Sequence, residues 1–237
     1  ACSPNGYNIN KNCGSTYPET IKKTVKATNS DLGIALDGDA DRVILIGPKG
    51  NIIEGDQILY ILTKDAINNH KFNSTIVGTI LTNSGLEISL KNKGIQLYRS
   101  DVGDKNVLLL MRQTGSIIGG ENSGHIINLE YSSSGDGLLT ALVVMKTMIE
   151  SERSLDELLD GLELMPQFNC NIETDLEELS DDLITKISQD ENSKMSNGRV
   201  LVRKSGTEPV LRITVESSDE ENAQKLFKSI KAQVNLV

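Results

Sequence analysis

The sequence predicts an α/β fold in three parts, and three observations carry that expectation. Strand-like and helix-like stretches alternate over residues 54–166, the pattern of a layered α/β domain. Ahead of it, in 1–53, two short apolar runs enclose an acid-rich loop and read as the remnant of a preceding domain. Behind it, in 167–237, strands come in runs with two amphipathic helices, the sign of a small α+β domain.

Taken in order, Ile21–Asn29 carries a helical pattern, followed by strands at Leu32–Leu36 and Val43–Ile46. Pro48, Gly50 and Asn51 then mark a turn. A helix is expected over Gly55–Asn69, a strand over Ser74–Ile80 and a helix over Ser84–Lys93, where Gly94 stops it. Next come a strand at Ile95–Ser100, a helix at Asp104–Gln113 and a strand at Ser116–Gly119. Asp136–Ser151 is a long helix, with apolar residues at Leu138, Leu139, Leu142, Val143 and Met145. Glu150–Pro166 reads as a helix plus linker. The last part is expected as a strand at Phe168–Glu173, a helix at Leu179–Ser188, strands at Arg199–Arg203 and Leu211–Glu216, and a helix at Glu220–Val234.

Bulk properties narrow the function. A net charge of -9 argues against nonspecific binding to nucleic acid or to an anionic membrane surface. No apolar run approaches the roughly 20 residues that a membrane span needs. Three cysteines, Cys2, Cys13 and Cys170, form no C-x-x-C and are expected as reduced thiols in a cytoplasmic protein. The chain starts without Met on a polar, Asn-rich segment, and the expectation is a piece of a longer protein.

The stretch LGIALDGDADRVILIG holds the first chemical signal. Asp37, Asp39 and Asp41 alternate, which on an extended chain would point all three carboxylates to one side. At an effective dielectric near 20, each pair about 4–5 Å apart costs roughly 3–4 kcal/mol of repulsion. A solvated polar turn is the bland alternative, but two buried strands force the acids together. Convergent oxygen ligands suit a hard divalent cation, Mg²⁺ or Mn²⁺. An EF-hand fits poorly, because its sixth position is Arg42 and its twelfth Pro48. Arg42 beside a cation is tolerable when an anion such as phosphate joins both.

Two further loops carry complementary chemistry. In GGENSGHIIN, Glu121, Ser123 and His125 alternate, a hydrogen-bonding comb for vicinal hydroxyls, with Gly120 and Gly124 allowing close backbone approach. In VRKSGTEPVLR, backbone N–H groups around Gly206 and the hydroxyls of Ser205 and Thr207 can converge on an anion, while Arg203 and Arg212 add charge. A structural histidine and a basic hairpin turn are the local alternatives.

LDGDADR resembles the metal-binding loop of the α-D-phosphohexomutases, which move a phosphoryl group between the 6- and 1-oxygens of a hexose. GGENSGH is similar to that family's sugar-binding loop, and RKSGTEP to its phosphate-binding loop, in the family's order. NINKNCGSTYPE, SDVGDKNV and SSSGDGLLTAL resemble the bacterial phosphoglucosamine mutase branch, with departures at Lys105 and Asn106, where the family more often has Arg and an aromatic.

The resemblance implies that 1–53 closes the second mutase domain, 54–166 is the third, a mixed-sheet α/β domain, and 167–237 is the small α+β C-terminal one. It implies Mg²⁺ on Asp37, Asp39 and Asp41, with Arg42 as the catalytic residue on the transferring group. Glu121, Ser123 and His125 would bind the sugar, and Arg203, Ser205, Gly206, Thr207 and Arg212 the phosphate. The substrate would be a hexosamine phosphate, feeding UDP-N-acetylglucosamine and cell-wall synthesis. The family's phosphoserine sits in a T-x-S-H-N-P-like loop, and this sequence contains no Ser-His pair. The missing N-terminal domains are therefore the expected partner, the chain alone is expected to be inactive, and a homodimer is compatible with the full-length parent. Three alternatives stay open: a phosphomannomutase/phosphoglucomutase of the same family, a haloacid dehalogenase-like phosphatase using Asp37, and a non-catalytic sugar-phosphate binding module.

Overall fold

The structure, a computed structural model, describes residues 3–67, 72–173, 179–195, 198–205 and 209–234. Residues 1–82 with 86–163 make one compact unit, and 83–85 with 164–237 make a second.

In the first unit, α1 (Glu19–Thr28) starts two residues earlier than its apolar pattern indicates, because Pro18 already holds a helical φ at the cap. It ends where Asn29 turns left-handed, φ 49, and donates its N–H to Val25 O. Strands β1 (Gly33–Leu36) and β2 (Val43–Ile46) form an antiparallel hairpin, with Leu36 opposite Val43 across the acidic loop. A third strand, β3 (Ile52–Ile53), pairs with β2 and was not anticipated, since two residues carry no readable period.

Helix α2 (Gly55–Ile67) buries Ile58, Leu59, Tyr60, Ile61 and Leu62 in succession, as a helix covered on most sides does. Its expected end at Asn69 lies outside the described residues. Then follow β4 (Thr75–Thr79), α3 (Ser84–Lys91), β5 (Gln96–Ser100), α4 (Asp104–Thr114), β6 (Ile118–Gly120) and β7 (Ile126–Asn128). The strand order is β5-β4-β6-β7; β4 runs parallel to both β5 and β6, and β7 returns antiparallel. The sheet is mixed, as the resemblance implies. Ile76, Ile118 and Ile126 join a core with α2, α3 and the long α5 (Gly137–Ser151). Val77 and Ile127 instead pack with Val107 and Met111 of α4. Successive strand residues thus feed opposite faces, giving helix–sheet–helix layers.

Between Glu150 and Pro166 only α6 (Leu155–Leu158) is separately helical. Ser154 and Glu157 close a reciprocal capping box at its start, and the linker follows.

The second unit has β8 (Gln167–Glu173), α7 (Asp181–Ser193), β9 (Arg199–Lys204), β10 (Val210–Glu216) and α8 (Glu220–Val234). The sheet is antiparallel in the order β8-β10-β9. Helix α7 begins later than expected because Ser180 caps it, accepting from Leu183 N, and it extends beyond Ser188 to Ser193. Val200, Val202, Leu211, Ile213 and Val215 alternate into a core with Ile184, Ile187, Leu226 and Ile230.

Glu216 is fully buried in this unit. Arg199 donates to both of its oxygens, Gln167 Nε2 donates at 2.7 Å, and Ser84 contributes its N–H and hydroxyl. A buried charge is stable only with such complete partnering.

Candidate active site

The three aspartates converge by a turn and not by an extended strand. Ala40 is left-handed, φ 62, and donates its N–H to Asp37 O at 3.3 Å. Arg42 N–H donates back to Asp37 Oδ1 at 3.1 Å, closing the loop on itself. One oxygen from each of Asp37, Asp39 and Asp41 then lies within 4.8 Å of the others. The convergence is as expected; its backbone cause is different.

Repulsion among the acids is visible at Asp41. Burial pushes its carboxyl pKa up, the charge of Asp37 pushes it further, and His125 pulls in the opposite direction. Arg42 offers only a long contact, Nη1 to Asp37 Oδ2 at 4.0 Å, and is half-exposed. The start of α5 braces the loop backbone. Gly137 N–H, at the positive end of α5, donates to Ala40 O at 2.9 Å. A side chain at Gly137 would press on Ala40 O and Arg42 O, so glycine lets the helix start against the loop.

The second loop is a tight turn as well. Glu121 N–H donates to His125 O, and Gly124 N–H to Glu121 O, so Glu121, Ser123 and His125 do not form an extended comb. Ser123 Oγ instead meets Glu121 Oε2 at 3.2 Å, while His125 pairs with Asp41. The expected alternation fails because Gly124, φ 92, folds the chain back.

This turn is stitched to the acidic hairpin. Val43 N–H donates to Gly124 O at 3.1 Å, and Arg42 and His125 form an isolated antiparallel bridge. Its other side rests on α2, where Gly55 N–H donates to Asn122 O. Glu121 is aimed by the loop ahead of α4: Gly103 N–H donates to its Oε1 at 2.7 Å. Sequence reading noted the 100–107 stretch without finding this contact; the one available signal was Gly103, left-handed at φ 113.

A cavity of about 520 Å³ opens beside the acidic loop, lined among others by Asn8, Asn10, Cys13, Leu36 and Asp37. The N-terminal segment is held there by Ser15 N–H donating to Leu36 O. Ile9 covers Gly38 so closely that a side chain on Gly38 would displace it.

In the second unit, Arg203 and Arg212 are direct cross-strand partners on β9 and β10. Burial lowers the Arg203 pKa, and the neighbouring Arg212 charge lowers it further. Like charges placed opposite one another are destabilising, and an anion would relieve them. Ser205 is buried, its N–H donating to Val210 O where the strands part. Gly206 and Thr207 lie outside the described residues.

With this geometry established, comparison identifies the class. Residues 54–165 match the family described as phosphoglucomutase/phosphomannomutase, alpha/beta/alpha domain III. Residues 169–233 match phosphoglucomutase/phosphomannomutase, C-terminal domain. The chain belongs to the phosphoglucomutase/phosphomannomutase family.

Its relatives narrow the class. Phosphoglucosamine mutase 1 of Shewanella amazonensis is 45% identical over 230 residues, covering 96% of this chain and 52% of that protein. The phosphoglucosamine mutase of Acinetobacter baumannii is 41% identical over 242 residues, covering 98% of this chain and 53% of that one. The chain spans about half the length of the curated relatives it matches. Among solved structures, Aspergillus fumigatus N-acetylphosphoglucosamine mutase, in complex with GlcNAc-6P and magnesium, aligns with a TM-score of 0.75 at 21% identity. That alignment covers 97% of this chain and 54% of the other. A phosphoglucomutase/phosphomannomutase family protein of Burkholderia thailandensis aligns at 0.71, also at 21% identity, over 92% of this chain and 51% of its own. At that identity the likeness speaks for the fold alone.

Proposed function

We propose that this chain supplies the metal, sugar and phosphate loops of a phosphoglucosamine mutase. The parent would interconvert glucosamine 6-phosphate and glucosamine 1-phosphate through a phosphoserine and a 1,6-bisphosphate. In this reading residues 1–53 end the second mutase domain, 54–166 form the third and 167–237 the C-terminal one. The observation that carries the proposal is the stitched pair of loops. Asp37, Asp39 and Asp41 share one hairpin with Arg42, and that hairpin is hydrogen-bonded to the Glu121–His125 turn.

The donor set fits Mg²⁺: three convergent carboxylates, and a buried Asp41 Oδ1 with no hydrogen-bond partner among the described residues. Bound there, the ion would neutralise charge on the phosphoryl group in transit. Arg42, anchored by its own N–H to Asp37, would place a guanidinium on the same group. Glu121, with Oε1 fixed by Gly103, would accept from a sugar hydroxyl, and Ser123 would donate to or accept from its neighbour. Arg203 and Arg212, with Ser205, Gly206 and Thr207, would hold the phosphate that is not being transferred. The two oxygens exchange roles when the bisphosphate reorients, so each loop must accept the sugar in two directions.

The sequence has no Ser-His pair of the kind the family's phosphoserine loop carries, so in this reading the chain alone binds substrate without turning it over. Calorimetry with glucosamine 6-phosphate and Mg²⁺, beside an assay for glucosamine 1-phosphate, tests both halves. Binding without conversion is expected; absence of binding would refute the loop roles, and conversion by the pure chain would refute the inactivity. A dehalogenase-like phosphatase would instead release phosphate and form a stable beryllofluoride adduct on Asp37.

A further inference from the structure

We infer that His125 is a positioning residue for the metal loop, acting through Asp41, and not a ligand of the sugar. The inference rests on the metal-loop reading of Asp37, Asp39 and Asp41 and adds a residue to it.

Three observations place the imidazole. Its Nδ1 lies 3.0 Å from Asp41 Oδ2. An ionised carboxylate can only accept, so Nδ1 carries the hydrogen and donates. The side chain is 8% exposed, too enclosed to meet a sugar hydroxyl as Glu121 and Ser123 can. On its far side Nε2 has no hydrogen-bond partner among the described residues and packs against Gly135, where any side chain would collide with the ring. Among the described residues the ring's one hydrogen bond is thus the one from Nδ1, aimed at one oxygen.

The backbone sets this aim. The Arg42–His125 bridge and the Val43 N–H to Gly124 O bond fix His125 across from the residue next to Asp41. By holding Oδ2, His125 fixes the orientation of the Asp41 carboxylate, whose buried Oδ1 has no hydrogen-bond partner among the described residues. Such outer partners orient carboxylate ligands and typically change metal affinity 10–100-fold when removed.

The experiment uses Mn²⁺, whose free concentration is read by electron paramagnetic resonance, on the whole chain and three variants. Asn places an amide N–H near the imidazole Nδ1, whereas Gln places one near Nε2. His125→Ala and His125→Gln are expected to weaken Mn²⁺ binding at least tenfold, and His125→Asn to stay within about threefold of the unsubstituted chain. The Asn and Gln variants are similar in size, so a folding defect common to both would leave them equal. Equal affinities for Asn and Gln, or rescue by Gln alone, would overturn the inference while leaving the metal site intact. If the unsubstituted chain binds no Mn²⁺, the metal-loop reading itself fails and the inference fails with it.

Discussion

Gly124→Ala tests whether the sugar-loop turn depends on its stitch to the acidic hairpin. Gly124 sits at φ 92, where an L side chain is strained, and a Cβ there would collide with Val43 O. Strain of this kind costs about 1–3 kcal/mol. Relief of the collision must pull Gly124 from β2, breaking the 3.1 Å bond from Val43 N–H, worth about 0.5–1.5 kcal/mol. Together the first unit should lose about 1.5–4.5 kcal/mol. The matched control is Gly94→Ala: φ is 74, but no atom lies within 4 Å of the added Cβ, so only about 1–2 kcal/mol of strain applies. Urea unfolding followed by circular dichroism measures both, and Mn²⁺ affinity reports the site, since His125 is the next residue. Equal losses for the two variants, or a loss under about 0.5 kcal/mol at Gly124, would refute the stitch.

Asp41→Asn should raise the melting temperature of the metal-free chain at pH 7 and abolish stabilisation by Mg²⁺. Burial and neighbouring acids raise the Asp41 pKa, so ionisation opposes folding above that pKa, and the gain should vanish in acid. At Glu216 the sign reverses. Burial pushes its carboxyl up, but Arg199, Ser84 and Gln167 outweigh burial and hold it below the usual 4.5. Its contribution is complete above the unfolded value and lost as pH falls through the folded one, so Glu216→Gln should flatten the acid limb of a stability–pH curve measured below about pH 4.5; an unchanged limb would count against the pairing. Arg203→Ala removes one of two opposed guanidinium groups and should cost no thermal stability, while weakening inorganic phosphate binding about tenfold in calorimetry. Unchanged phosphate affinity would remove Arg203 from the phosphate loop.

Most of the architecture was legible because periodicity encodes which faces are buried. The run Ile58 to Leu62 marks a helix buried on most sides, and the alternation of Leu211, Ile213 and Val215 marks a strand with one inner face. Boundaries moved where a cap outweighed the apolar pattern, at Pro18 and Ser180. Strand β3 escaped notice because two isoleucines have no period. In the candidate site, residue identities were readable and their arrangement was not. Alternating acids suggested an extended comb, but left-handed Ala40 and Gly124 bend both loops into turns.

The sequence by itself determined the α/β class, the order of the three loops, and the chemistry each can offer, because these follow from residue type and local spacing. Only the tertiary structure decided who meets whom. Asp41 and His125 are 84 residues apart, and Gly103 reaches Glu121 across 18. Those meetings depend on how β2 lies against the Glu121–His125 turn and on glycines that admit close approach. A local pattern states which face a side chain takes, while backbone pairing and the space left by an absent Cβ select its partner.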